Sequence, residues 1–135
     1  MRVQNLNIGE AIYSVLASTA AVTAKVGQRI FPLVAPEGTQ FPYVVYSCMS
    51  MSAARDKDSF FYQQLVTEGI VVCTDEYKEG VDIAMAILEA LQFDDREIAV
   101  GDGTLSVLES RFDTRTEDYV NNVFVQGLTF NLKLR

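Results

Sequence analysis

Side chains able to do chemistry are sparse in this chain. Asp94, Asp95 and Glu97 stand close together, with Asp102 a few residues on, and grouped carboxylates are the usual ligands of a hard cation. Their spacing lacks the alternating ligand pattern of a calcium loop, and Asp94-Asp95 reads more simply as a solvated turn between a helix and a strand. Gly101-Asp102-Gly103 is followed by neither a helix start nor a Lys-Ser/Thr pair, so it reads as a turn and not as a phosphate cradle. Cys48 and Cys73 each lie in an apolar run, which predicts two buried, reduced, small hydrophobes rather than a redox pair. Histidine is absent. That removes Ser-His-Asp and Cys-His catalysis and any histidine-ligated zinc site. With no nucleophile beside a credible base, no metal set and no cofactor motif, the chain is expected not to be an enzyme. The opposing reading, a carboxylate enzyme, requires a divalent ion at Asp94, Asp95 or Glu97.

Residues 52–62, Ser-Ala-Ala-Arg-Asp-Lys-Asp-Ser-Phe-Phe-Tyr, alternate charge and then run into three aromatics. Aromatic anchors within a polar rim are the composition of a protein interface. One reading makes Phe60, Phe61 and Tyr62 the anchors, and Arg55, Asp56, Lys57 and Asp58 the rim, of a loop that orders against another subunit. The other makes the aromatics the start of the next strand and the charges its exposed turn. Arg111 to Asp118 also mixes signs and is expected to be a solvated loop.

These residues must be held by a frame of helices and strands, and the chain is long enough to supply one. Its 135 residues are 49% hydrophobic and 21% charged, which predicts a single domain over 1–135 whose core forms without disulfide staples. Asn7 followed by Glu10 suggests a capping box, after which Ile8, Ile12, Val15 and Leu16 share one face of a helix over residues 8 to 18. A shorter helical turn runs from Ala20 to Lys25 and stops at Gly27. A second full helix spans 76 to 92, with Thr74 as its cap and an apolar stripe of Val81, Ala84, Leu88 and Leu91 flanked by Ile83, Ile87 and Ala90. Pro42 to Met51, Gln63 to Cys73, Ile98 to Val100, Leu105 to Arg111 and the last segment read as strands. In that last segment Phe124, Leu128, Phe130, Leu132 and Leu134 point one way, and Thr129, Asn131 and Lys133 the other. Strands adjacent in sequence with short links favour an α+β fold, an antiparallel sheet of four to five strands with two helices packed on one face.

Residues 121 to 134, fully extended at about 3.4 Å each, would exceed the roughly 36 Å diameter of so small a domain. The strand must bend, with Gly127 and Gly69 as bulge or bend sites, or project and need a partner along its edges. The second alternative hints at oligomerisation. Eighteen acidic against 11 basic side chains, a formal charge of -7, argue against stable nucleic-acid binding, which relies on Lys and Arg at phosphates. No signal-peptide pattern and no apolar run of membrane-spanning length are visible, so a soluble, cytosolic protein without a membrane partner is expected.

With the elements placed, the sequence resembles the tail-completion, or tail-terminator, proteins of long-tailed bacteriophages and prophages. The resemblance rests on Gly27, Arg29, Ile30, Phe31 and Pro32, on Pro42 to Tyr46 (Pro-Tyr-Val-Val-Tyr), and on Ile70 to Leu91 with Thr74, Asp75 and Tyr77 at the junction. Asp118 and Tyr119 before Phe124 to Leu134 complete it. It covers nearly the whole chain, while residues 52–62 and 94–103 do not follow the family pattern. The resemblance implies a virion part without catalytic residues or cofactor, assembled in the bacterial host cytoplasm and placed at the head-proximal end of the tail. There a ring of six subunits would end polymerisation of the major tail-tube protein and join the head-tail connector. DNA would pass through without being held, the acidic charge repelling phosphate and Asp102 facing the bore or a partner. The alternative is a stand-alone α+β protein-binding module that uses the aromatic loop 52–62 and stays monomeric.

Overall fold

A helix needs a continuous apolar stripe, and the first one has it: Ile8, Ala11, Ile12, Val15 and Leu16 are all buried along α1 (Ile8–Ala17). In the computed structural model, which describes residues 2–55 and 62–135, a 3-10 turn at Val3–Asn7 leads directly into α1. The expected capping box is not formed. Asn7 makes no side-chain cap, and the Glu10 carboxylate instead accepts the Gly101 N–H at 3.0 Å, tying the helix to a distant turn. Helix α2 (Ala20–Val26) ends where expected, at Gly27. Its positive φ of 60° suits a residue without a Cβ, and its N–H reaches the Thr23 carbonyl at 2.8 Å.

The main helix, α3 (Tyr77–Ala90), starts just after Glu76 and has no side-chain cap. Thr74 belongs to the preceding strand, and its hydroxyl donates to the Glu76 carbonyl at 2.8 Å, so it does not cap the helix as expected. The buried face centres on Gly80, Ile83, Ala84, Ile87 and Leu91, while Val81 and Leu88 lie at its margins. The stripe is thus rotated from the expected one.

The sheet has six strands, more than the four to five expected, in the order β1-β2-β3-β6-β5-β4: β1 (Ile30–Pro32), β2 (Tyr43–Arg55), β3 (Tyr62–Thr74), β4 (Phe93–Val100), β5 (Gly103–Val120) and β6 (Val123–Leu134). It is mixed rather than purely antiparallel, because β1 runs parallel to β2 while all other neighbours are antiparallel. The Gly-x-Arg-Ile-aromatic-Pro and Pro-Tyr-Val-Val-Tyr segments therefore pair with each other. Arg29 reinforces the pairing, its Nε donating to the Pro42 carbonyl at 2.9 Å while its own carbonyl accepts the Val44 N–H at 2.9 Å.

Helices α1 and α3 lie on the sheet, α2 packs against both, and among the described residues no helix lies on the other sheet face. Alternation fixes which face is which. Gln64, Val66, Glu68, Ile70, Val72 and Thr74 of β3, and Gln126, Leu128, Phe130, Leu132 and Leu134 of β6, are buried beneath the helices. Fully burying each of the four large apolar groups on β6 contributes on the order of 1.5–3 kcal/mol. Strand β6 does not project: it is paired along its length by β3 and β5. The irregularities fall at Met49 of β2 and at Leu108 and Asp113 of β5, and not at the two glycines expected to bend the sheet. Gly127 is in regular register with Val71 and Thr116, and makes room, since a Cβ there would stand 2.5 Å from the Thr116 hydroxyl oxygen.

Candidate functional site

Two of the carboxylates considered as a cation site are engaged separately. Asp94 binds Arg111 at 2.6 Å across the β4–β5 ladder, and Glu97 accepts the Ser106 hydroxyl at 2.5 Å. Asp95 sits at a positive φ of 46°. Asp94 and Asp95 belong to a strand rather than to the turn expected from the sequence. Among the described residues no group of three or more His, Cys, Asp or Glu side chains could hold a metal ion. The cysteines divide: Cys73 is buried, but Cys48 is exposed, because β2 runs out past its covering strand. Burial pushes the Cys73 thiol above its ordinary pKa, and the Cys48 thiol, though exposed, is raised by partial desolvation and then by the nearby Glu68 carboxyl.

Asp102 lies exposed in the two-residue turn that joins β4 to β5, between the paired Val100 and Gly103. Arg55 and Tyr62 are backbone partners at the end of the β2–β3 ladder. Asp56, Lys57, Asp58, Phe60 and Phe61 lie outside the described residues. Strand directions bring the Arg55–Tyr62 end of β2 and β3 and the Asp102 turn to the same end of the sheet, beyond Gln64, Leu134 and Val107 in neighbouring register. The helix-free face carries hydroxyls and amides, with a shallow groove of about 430 Å³ lined by Ser50, Ser52, Thr67, Asn131, Lys133 and Glu109 among others. Its groups offer polar recognition.

At the other end, the expected solvated loop over Arg111 to Asp118 is strand. The β5–β6 hairpin turns at Asn121-Asn122, whose φ values of 51° and 65° form the left-handed pair that two-residue hairpins require. Asn tolerates that region, so the Asn-Asn pair between alternating segments was the available signal. On the helix-bearing side Arg115 donates to the side-chain amide oxygen Oε1 of Gln126 from Nε at 3.0 Å and from a terminal nitrogen at 2.6 Å. Glu117 accepts from Arg115 and Gln126, each at 2.9 Å. A hydrogen bond from Tyr77 of α3, then that from Gln126, holds the Glu117 carboxyl below its ordinary range. Tyr77 and Tyr119 both pack on Phe124, with ring centres 5.8 and 4.7 Å from it.

The most perturbed group in the described structure is Glu68. It lies between Val66 and Ile70 beneath the helices, fully buried, and neither carboxylate oxygen has a hydrogen-bond partner among the described residues. Burial raises its pKa from 4.5 to about 7. Period-two alternation alone would have placed a residue at 68 in the core, but a charged side chain there reads from sequence as an exposed one.

The family described as Tail completion protein gp17 matches residues 10–130 of the chain. A solved structure titled "Virion of native gene transfer agent (GTA) particle" contains a chain of the same fold, with a TM-score of 0.77 at 19% identity over 99% of this chain and 98% of that one. No curated protein matches. Among the described residues no helix is long and apolar enough to cross a membrane.

Proposed function

Because the chain belongs to the Tail completion protein gp17 family, a family of structural tail components, we propose that it caps the head-proximal end of the tail tube as a ring of six copies. The cap stops addition of further major tail-tube protein and presents the surface that joins the head-tail connector. The observation that carries this reading is the family match over residues 10–130. Two features of the fold support it. The sheet has two unlike ends, one carrying the Arg55–Tyr62 end of β2 and β3 and the Asp102 turn, the other the Asn121-Asn122 hairpin and the start of α3. A part that joins a tube to a connector needs two such different surfaces. The formal charge of -7 suits a passage for DNA, which an acidic lining repels rather than holds.

In this reading Arg55, Asp56, Lys57, Asp58, Phe60, Phe61 and Tyr62 contact the neighbouring subunit or the tube, and Asp102 faces the bore or a partner. The test is tube growth. Purified tail-tube protein polymerising in the presence of this chain should stop at a finite length and carry a ring at one end. Tubes that grow without limit and carry no ring refute the reading, and a chain that remains monomeric beside them favours the stand-alone binding module.

A further inference from the structure

A strand with nothing beside it presents a row of unpaired N–H and C=O groups, and soluble proteins blunt such rows with charge, irregularity or cover. Strand β4 is the outermost on its side and is guarded by Asp94, Asp95, Arg96 and Glu97 and by the positive φ at Asp95. Beyond Ser110 its ladder with β5 stops, leaving β5 residues 111–120 without a strand neighbour on that side among the described residues; side chains reach two of the row's N–H groups, Gln92 that of Phe112 at 3.4 Å and Asp118 that of Tyr119 at 2.8 Å, and charges stand at Arg111, Asp113, Arg115, Glu117 and Asp118. On the other side the β1 ladder stops at Tyr46, leaving β2 residues 47–55 without a strand neighbour among the described residues, with the Ser50 carbonyl accepting the Cys48 thiol at 3.4 Å. That row reads Ser-Cys-Met-Ser-Met-Ser-Ala-Ala-Arg and has no charge before Arg55. Its one irregularity is the bulge at Met49. It is the least guarded edge of the sheet.

The two bare rows occupy diagonally opposite corners. Where β1 covers β2, β5 is bare; where β4 covers β5, β2 is bare. The strands β2 and β5 run in opposite directions within the sheet. Copies related by rotation about one axis therefore bring β5 of one against β2 of the next antiparallel, residues 111–120 facing residues 47–55. Each joined pair still has one free row of each kind, so the contact is heterologous and closes into a ring when the rotation does. The offset between the corners supplies the stagger by which strands tilt in a closed sheet.

We infer that subunits join by main-chain pairing of β5 residues 111–120 with β2 residues 47–55 of a second copy. The inference rests on the ring reading above and names the edges that build it.

Cys48 lies on the β2 row, opposite Glu68, on the helix-bearing side of the sheet. Paired residues of a continuous sheet share a face. Phe112, Arg115, Glu117 and Tyr119 of the β5 row share that side, their partners on β6 being Phe130, Leu128, Gln126 and Phe124; Cys48 stands near the start of its row, so antiparallel pairing sets it against the far end of β5, at Glu117 or Tyr119, and not Thr116 or Asp118, which face the other way. Within one copy β3 and β6 separate the two strands by on the order of 14 Å, too far for a disulfide, so any bridge is between copies. The experiment uses the full chain carrying Cys73→Ala and one of Thr116→Cys, Glu117→Cys, Asp118→Cys or Tyr119→Cys. Each variant is assembled on tail-tube protein, imaged and then oxidised. A covalent ladder at least tenfold stronger from Glu117→Cys or Tyr119→Cys than from the other two is expected. In the unaltered chain, amide exchange over 47–55 and 111–120 should slow together at least tenfold on assembly. Rings whose exchange in these rows is unchanged, whose ladders come from Thr116→Cys or Asp118→Cys, or which bridge only Cys48 to Cys48, overturn the edge pairing and leave the ring standing. Absence of any ring on the tube overturns the ring reading, and the pairing with it.

Discussion

Replacing Glu68 by Gln removes a titration without changing the shape of the side chain, so it isolates what a buried carboxyl costs this fold. In the folded chain the group stays protonated up to about 7, while in the unfolded chain it ionises near its ordinary 4.5. Between those values the native state holds a proton that the unfolded state has released. Stability from this group is therefore fully present below about 4.5 and is lost as pH rises through about 7. At about 1.36 kcal/mol per pH unit, the gap comes to roughly 3 kcal/mol. The other acidic groups titrate in both proteins and cancel in the difference. Urea unfolding of the two proteins at a series of pH values from 4 to 8 should show the advantage of Glu68→Gln growing by about 3 kcal/mol from the acid to the alkaline end. Glu68→Leu, which also removes the unpartnered oxygens, should be at least as stable at every pH. A difference between wild type and Glu68→Gln that stays flat with pH would mean that the carboxyl is solvated or paired, and the reasoning from burial would fail.

Two further perturbations probe the core and the distal hairpin. Phe130 is fully buried at the middle of the central strand and meets Phe112 edge-on at 6.1 Å, so Phe130→Ala should lower unfolding free energy by about 3–5 kcal/mol in the same urea assay. A loss under 1 kcal/mol would contradict its central place. Asn122→Ala puts an ordinary side chain at a φ of 65° and should cost about 1 kcal/mol, read as a lower thermal midpoint and faster amide exchange at the β5–β6 turn. An unchanged midpoint and exchange rate would argue against the left-handed turn.

The parts of the fold that could be read from the sequence are those governed by local pattern. Apolar residues at helical spacing located α1 and α3, and period-two alternation located β6 with its buried Leu128, Phe130, Leu132 and Leu134. What escaped was set by contacts between distant residues. Strand β1 is too short to announce itself and exists because Arg29 and Val44 meet across the intervening loop. The outer half of β5 is exposed throughout, so its composition resembles a loop, and only the ladder with β6 makes it strand. Glu10 was read as closing a local cap, yet it serves Gly101, which no local rule could indicate. The candidate site was legible in part. The Gly101-Asp102-Gly103 turn was readable, but not that the strands carry it to the same end of the sheet as Arg55 and Tyr62. The sequence hinted at needy strand edges through β6, which proves fully paired, and the bare rows belong to β2 and β5.

Why the outer half of β5 should be held so firmly follows from what docking costs. Ordering a loose strand at an interface costs about 0.5–1.5 kcal/mol for each rotamer-rich side chain fixed, on top of lost translational freedom. In this chain much of that ordering precedes any encounter. Strand β6 pairs the inner edge along its length, and Arg115, Gln126 and Glu117 lock side chains across the two strands. Tyr77 then couples Glu117 to the first turn of α3, and Phe124 sits between Tyr77 and Tyr119. These exposed contacts contribute little to global stability, since solvent screens the ion pair. Their effect is instead to keep the bare edge straight and presented. In the proposed ring, where subunits would join only at the end of a growing tube, an edge already shaped for pairing but too charged to pair indiscriminately would be an advantage.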